Sequence, residues 1–228
     1  MTEYEKKLPV TVAFPPQSIA MPIARVISES HLKQLHMAET EKERFVTYYF
    51  NGQKEEPFAG EDRLIVPSAK VPTYDLKPEM SAHELTEVLI KKIQENIYDF
   101  IIINLANPDM VAHTGVIPAA ITACQVTDAC VGKIVDAVLS VDGACFITAD
   151  HGNVEEMIDP VSGGIDTEHS TYPVPFLCVA KEFSGKCIEL PSGMLPDVAP
   201  TILAYMGIPV PVSMNGRNLL AYIQRSNN

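Results

Sequence analysis

Three groupings of histidine and carboxylate residues have the types and spacing to do chemistry. Asp109 and His113 are one helical turn apart. Asp150 and His151 are adjacent. His169 ends the run Asp166-Thr167-Glu168-His169. If residues 109–113 curl as a helix, Asp109 and His113 face one point. Asp150 and His151 converge in a tight turn and diverge in an extended segment. Mixed carboxylate and imidazole ligands suit Zn²⁺, Mn²⁺ or Fe, and the lack of thiolates in these groupings argues against a structural zinc knuckle. Two such ions side by side would clamp a phosphoryl group together with its attacking and leaving oxygens.

Each grouping alone also has a plainer reading. Asp109 and His113 fit any surface helix. Asp150-His151-Gly152-Asn153 fits a turn held by its aspartate. A lone His169 is usually a surface residue. Their joint placement beside strand ends favours the metal reading, because ligands in open α/β sheets gather at the carboxyl ends of strands. His31, His36 and His83 lack that setting and are read as structural, and the methionines as core filler.

The elements that would position these residues follow from periodicity. Asp99–Asn104 is a continuous apolar run, as in a parallel strand covered on both faces, and it leads into Asn107–His113. Ala144–Thr148 reads as a second buried strand and leads into Asp150 and His151. Val174–Ala180 reads as a third. Pro118–Leu139 is a long helix with Ile121, Cys124, Val126, Val131, Ile134, Val135 and Val138 as its apolar face. Leu85, Val88, Leu89 and Ile93 recur at helical spacing behind a capping box, Ser81 to Glu84. Asp197 caps a short helix through Met206, and Gly207 stops it. Earlier in the chain, 8–16 reads as a β-branched run. Residues 18–35 read as a helix with Ile23, Val26 and Ile27 on one face. Residues 43–51 form a strand ending at an Asn-Gly turn, and 63–67 a short strand. Strand, loop, helix, strand is α/β organisation: a mostly parallel sheet flanked by helices.

Composition narrows the class. A chain of 228 residues makes about one domain at roughly 100–200 residues each. With 46% hydrophobic and 20% charged residues, it is neither disordered nor collagen-like. No apolar run approaches the roughly 20 residues needed to span a bilayer, and no secretory signal opens the chain. The formal charge of −12 disfavours nucleic acid and anionic membranes as partners. It leaves room for an anionic small substrate wherever a bound metal reverses the local field. Five cysteines without CxxC spacing read as reduced core thiols of a cytoplasmic protein.

Several longer motifs carry a resemblance: Ala38-Glu39-Thr40-Glu41-Lys42, Tyr74 to Ser81 (YDLKPEMS), Ala106 to Val111 (ANPDMV), Thr148 to Asn153 (TADHGN) and Asp197 to Leu203 (DVAPTIL). From about Leu8 to Leu220 the chain resembles the C-terminal part of cofactor-independent (2,3-bisphosphoglycerate-independent) phosphoglycerate mutase, a glycolytic two-metal isomerase of the alkaline phosphatase superfamily. The resemblance implies two divalent metal ions, with Mn²⁺ the expected one. Asp109, His113 and His169 would hold one ion, and Asp150 and His151 would contribute to the second. Lys42 would be the active-site lysine, a point charge facing phosphoryl oxygens. Residues 1–228 would be the C-terminal portion of the phosphatase-like domain: 1–60 a lead-in following a transferase domain, 61–228 the core.

The resemblance also marks departures. Ala112 and Glu168 replace smaller residues, and His31 and His36 stand where Gly and Arg are usual. Family members are considerably longer. Their first strand carries another metal-binding Asp, the Ser nucleophile follows it, and an inserted domain holds the phosphoglycerate. No serine here stands in the nucleophile's context. The expectation is a fragment: inactive alone, with an unpaired slot in its sheet, and prone to self-association or to docking with a separate N-terminal half. The alternatives are a metal-dependent phosphatase of the same superfamily and a non-catalytic metal-binding remnant.

Overall fold

The computed structural model describes residues 11–13, 19–186 and 188–221. In chain order the elements are α1 (Ile23–Glu29), β1 (Gln34–Glu39), α2 (Glu43–Val46), β2 (Glu61–Val66), α3 (Ala82–Glu95), β3 (Phe100–Ile103), α4 (Asn107–Ala112), α5 (Ile117–Ser140), β4 (Cys145–Thr148), β5 (Phe176–Val179) and α6 (Val198–Tyr205). Three strands form a parallel sheet in the order β2-β1-β3. The α/β class and the parallel, helix-flanked sheet agree with the sequence reading. The run 8–16 falls largely outside the described residues. Among the described residues, no helix is long and apolar enough to cross a membrane.

The central strand is one that periodicity missed. Every residue of β1 is buried, so the alternation of Gln34-Leu35-His36-Met37 does not separate a core face from a solvent face. Each of its polar side chains makes at least one hydrogen bond in burial, although Glu39 Oε1 has no partner among the described residues. Gln34 donates to the Ala24 carbonyl at 2.8 Å, and the Glu39 carboxylate accepts from the Ser81 amide at 2.9 Å. His36 contacts the Val46 carbonyl at 2.6 Å. The helix expected over 18–35 spans only α1. His31 adopts a left-handed φ of 59°, which ends the helix and turns the chain into the sheet.

The strand expected over 43–51 is also corrected. Glu43–Val46 is a helical turn, closed by Thr47 Oγ1 donating to the Glu43 carbonyl at 2.8 Å. Both edges of β1 are already taken by β2 and β3, so β propensity at 43–51 finds no strand there to pair with. The capping box does not form either. Ser81 Oγ donates to the Pro67 carbonyl at 2.8 Å, fastening the end of β2 to the start of α3.

The long helix α5 buries small residues, Ala119, Ala120 and Ala123, together with Cys130 and Ile134. Ile121, placed on the apolar face by periodicity, is 54% exposed. Alanines let α3 and α4 approach closely, and their contact selects the buried stripe. One core cluster joins Leu35, Met37, Val66, Leu85, Leu89 and Ile134 between sheet and helices. A second lies under α4 and the start of α5, with Met80, Val111, Ala112 and Met157.

β4 and β5 were expected to be further buried strands of the sheet. They form a separate antiparallel pair, and their residues are only partly buried, with Leu177 49% exposed. Asp197 also departs from its expected part. Its carboxylate reaches back to the Met194 amide at 2.9 Å and across to the Arg217 amide at 2.7 Å, leaving the α6 amides uncapped by it. Gly207 takes a φ of 71° just past α6, as a helix stop requires. Cys124, Cys130, Cys145 and Cys178 are free thiols, and burial pushes Cys178 up to about 11.

Burial lowers the His36 imidazole below its ordinary value. Glu61 and the Val46 carbonyl oppose the shift, and Arg63 adds to it. The unfolded chain therefore takes up this proton first as pH falls. The His36 contribution to stability is complete above the ordinary histidine value and is lost as pH falls through the lower folded value. A melting series from pH 7.5 to 5 should show this loss in the native chain and less of it in His36→Gln.

Candidate metal centre

The site is assembled at the carboxyl ends of β1, β3 and β4. β1 runs into a 3₁₀ turn, Thr40–Lys42, which carries the Lys42 side chain inward until the residue is 7% exposed. β3 runs into α4, which has Pro108 in its first turn, where a missing N–H costs nothing. Asn107 Nδ2 donates to the Pro78 carbonyl at 2.8 Å and fixes this helix start. The α4 turn places Asp109 and His113 on one face, as their spacing requires. β4 runs into Ala149–Asn153, and an isolated antiparallel bridge between Gly152 and Ser170 brings His169 beside His151.

Asp109 is the hub. Its Oδ2 accepts from Lys42 Nζ at 2.5 Å, and its Oδ1 accepts from Asn153 Nδ2 at 3.1 Å. The same Oδ1 faces His113 Nε2 at 3.1 Å, His169 Nε2 at 3.2 Å and His151 Nε2 at 3.8 Å. The rings of His151 and His169 stack with centroids 3.7 Å apart. Asp109, His151 and His169 each offer a ligand atom within 4.8 Å of the others. Asp150 stands at the rim, its side chain 60% exposed and its Oδ1 3.6 Å from His151 Nε2. Burial raises the Asp109 carboxyl, but Lys42 outweighs it, helped by Asn153 and His113, so the net displacement is downward.

The hydrogen bonds on the far side of each ring say what this arrangement suits. His113 Nδ1 lies 2.7 Å from the Thr167 carbonyl, and His151 Nδ1 lies 3.3 Å from that of Gly152. A carbonyl only accepts, so each Nδ1 carries the proton. In neutral rings, both Nε2 lone pairs then point at a carboxylate oxygen. Lone pairs converging on an anion repel unless the rings are protonated or a cation lies among them. Carbonyl-oriented imidazoles with a carboxylate are the donor set that a divalent ion uses. The residues present fit a metal.

Lys42, Asp109, His113, His151 and His169 are thus brought together, with Asp150 beside them. Sequence reasoning assigned no role to Asn153, although it stands in the TADHGN motif. It also passed over Glu155 and Ser170, which brace the histidine loops and have no motif signal of their own.

Comparisons with known proteins give the family. A family described as Metalloenzyme superfamily matches residues 11–210. The chain is 53% identical over 222 residues to the 2,3-bisphosphoglycerate-independent phosphoglycerate mutase of Thermomicrobium roseum, covering 96% of this chain and 42% of that protein. It is 50% identical to the enzyme of the same name from Clostridium beijerinckii, covering 96% and 43% respectively. Among solved structures, Leishmania mexicana phosphoglycerate mutase, crystallised at low cobalt concentration, superposes with a TM-score of 0.79 at 29% identity. That match covers 89% of this chain and 40% of the other. The chain therefore spans about two fifths of the length of the relatives it matches. With the family matched over most of its length and a carboxylate–imidazole cluster at its strand ends, the chain belongs to the metalloenzyme superfamily.

Proposed function

We propose that residues 1–228 are the C-terminal, metal-holding portion of a cofactor-independent phosphoglycerate mutase, which interconverts 3-phosphoglycerate and 2-phosphoglycerate in the cytoplasm. One observation carries this reading: the convergence of Lys42, His113, His151 and His169 on Asp109, in a chain about half identical to proteins of that name. Asp109, His113 and His169 would hold one ion, and Asp150 and His151 would contribute to a second, with Mn²⁺ the favoured metal. Bound there, the ions would act as Lewis acids on the oxygens of a transferring phosphoryl group.

The chain's own residues do the rest of what this portion can do. Asp109 holds the nearly buried Lys42 Nζ in the site. The ammonium packs 4.4 Å over the Phe45 ring, which limits its wandering. A positive point charge held there can stabilise an incoming phosphate. The Thr167 and Gly152 carbonyls fix the tautomers of His113 and His151. The nucleophile and the substrate clamp would come from the remaining three fifths of a full-length relative. Among the described residues the outer edges of β3 and β4 lack strand partners, which supports docking of a further strand there or self-association.

The test is conversion of 3-phosphoglycerate with Mn²⁺, by this chain alone and mixed with the separately expressed remainder of a relative. Activity is expected only in the mixture. One other reading is a non-catalytic metal-binding remnant. Metal binding without activity in either arm would establish that reading. Turnover of an artificial phosphate ester by the chain alone would instead mark a hydrolase.

A further inference from the structure

We propose that Glu155 is a positioning residue that holds the His151 and His169 imidazoles in a single stack. The inference rests on the metal-centre reading. Glu155 lies in the 3₁₀ turn Val154–Glu156, directly after the histidine loop. Its two carboxylate oxygens serve different strands. Oε2 accepts from the Asn153 amide at 2.9 Å, and Oε1 accepts from the Ser170 hydroxyl. Between them runs the Gly152–Ser170 bridge, in which the Ser170 amide donates to the Gly152 carbonyl at 2.9 Å. His151 immediately precedes Gly152, and His169 immediately precedes Ser170. The clamp therefore closes two residues beyond His151 and one beyond His169.

Two further observations fit this role. A Cβ on Gly152 would overlap both Glu155 Oε1 and Ser170 Oγ. Gly152 has an ordinary φ, so it is there for space, and the space is filled by the clamp. Asn153, whose amide Glu155 accepts, is also the residue whose side chain donates to Asp109. Glu155 thus ties together both histidine loops and one donor at the hub. A single antiparallel bridge is a weak fastening for two loops. A side chain with one hydrogen bond to each side adds a second fastening.

The experiment compares Glu155→Ala, which removes both bonds, with Glu155→Gln. The amide of Gln accepts from the Asn153 amide and donates to Ser170, so it keeps both links and loses only the charge. Mn²⁺ and Co²⁺ binding to the chain is measured by titration calorimetry, with no turnover needed. Glu155→Ala is expected to weaken binding about 10–100-fold, the usual cost of losing an outer partner of a metal ligand, while Glu155→Gln stays close to the native chain. Equal binding by Glu155→Ala overturns the proposal. So does a Glu155→Gln as weak as Glu155→Ala, because the carboxylate would then act by charge. Failure of the native chain to bind either ion counts against the metal centre, a separate result. The clamp is then read in the metal-free chain from the ring-proton shifts of His151 and His169. Loss of the stacking shifts in Glu155→Ala and their retention in Glu155→Gln supports it; unchanged shifts in both overturn it. If Glu155→Ala does not fold, Ser170→Ala against Ser170→Thr makes the same comparison through one link.

Discussion

Replacing Asp109 with asparagine is expected to reduce metal affinity by more than about 100-fold, since losing an outer partner alone costs roughly 10–100-fold. The substitution keeps the shape of the side chain and removes its charge. Three imidazole Nε2 atoms then converge on a neutral amide, and Lys42 loses its only ion-pair partner among the described residues. The Lys42 and Asp109 side chains are 9% and 16% exposed, so the ammonium is left nearly buried without a counter-charge. Breaking such a pair from one side costs about 3–5 kcal/mol. Calorimetry with Mn²⁺ and thermal melting of the same protein check both effects. Metal binding at native strength would place the centre elsewhere. A bound ion in Asp109→Leu/Lys42→Met would do the same, and that double variant should regain part of the lost stability, because both charges leave together.

Substitution of Asp197 by alanine should give the largest loss of stability away from the metal centre. Asp197 is 1% exposed. Its Oδ1 accepts from the Arg217 amide at 2.7 Å, and its Oδ2 accepts from the Met194 amide at 2.9 Å and from Arg217 Nη2 at 3.2 Å. Thr201 Oγ1 donates to the Asp197 carbonyl at 2.7 Å and accepts from the Leu219 amide at 3.0 Å. One carboxylate thus ties the start of α6 to the segment at 217–219. Alanine there leaves buried amides unpaired. Removing one side of such a network costs about 3–5 kcal/mol. At about 2–4 °C per kcal/mol for a chain of this size, melting should fall by roughly 6–20 °C. The Arg217 and Met194 amides hold the Asp197 carboxyl below its ordinary value, against the opposing effect of burial. Its contribution is therefore complete above the ordinary aspartate range and is lost as pH falls through the folded value. Acid should narrow the difference between native chain and variant. A constant difference down to the lowest pH at which the chain folds would refute this account.

The chemistry-bearing residues were legible in the sequence because their signals are local. The four-residue spacing of Asp109 and His113 needs only one helical turn, and α4 supplies it. Asp150 and His151 need only the loop after a strand, and β4 ends where its apolar run ends. The strand at 100–103 and the helices at 82–95 and 117–140 follow from runs and periodicities contained in a single segment.

Tertiary structure alone decided the rest. β1 is central, so both of its faces are covered. The alternation of Gln34 to Met37 therefore marks no solvent face, and Gln34, His36 and Glu39 look like surface residues until Ala24, Val46 and Ser81 are brought to them. The segment 43–51 has strand composition, yet the sheet edges beside β1 are taken. Local preference therefore yields to the available partners, and a helical turn forms at Glu43–Val46, directly after Lys42. The antiparallel pairing of β4 with β5, the alanine stripe of α5 and the Glu155 bridge to Ser170 all depend on partners distant in sequence. The sequence by itself determined the residue types, local spacings and short elements that make a carboxylate–imidazole centre available. Folding decided which of those residues meet, because burial and hydrogen-bond partnership are properties of pairs of segments.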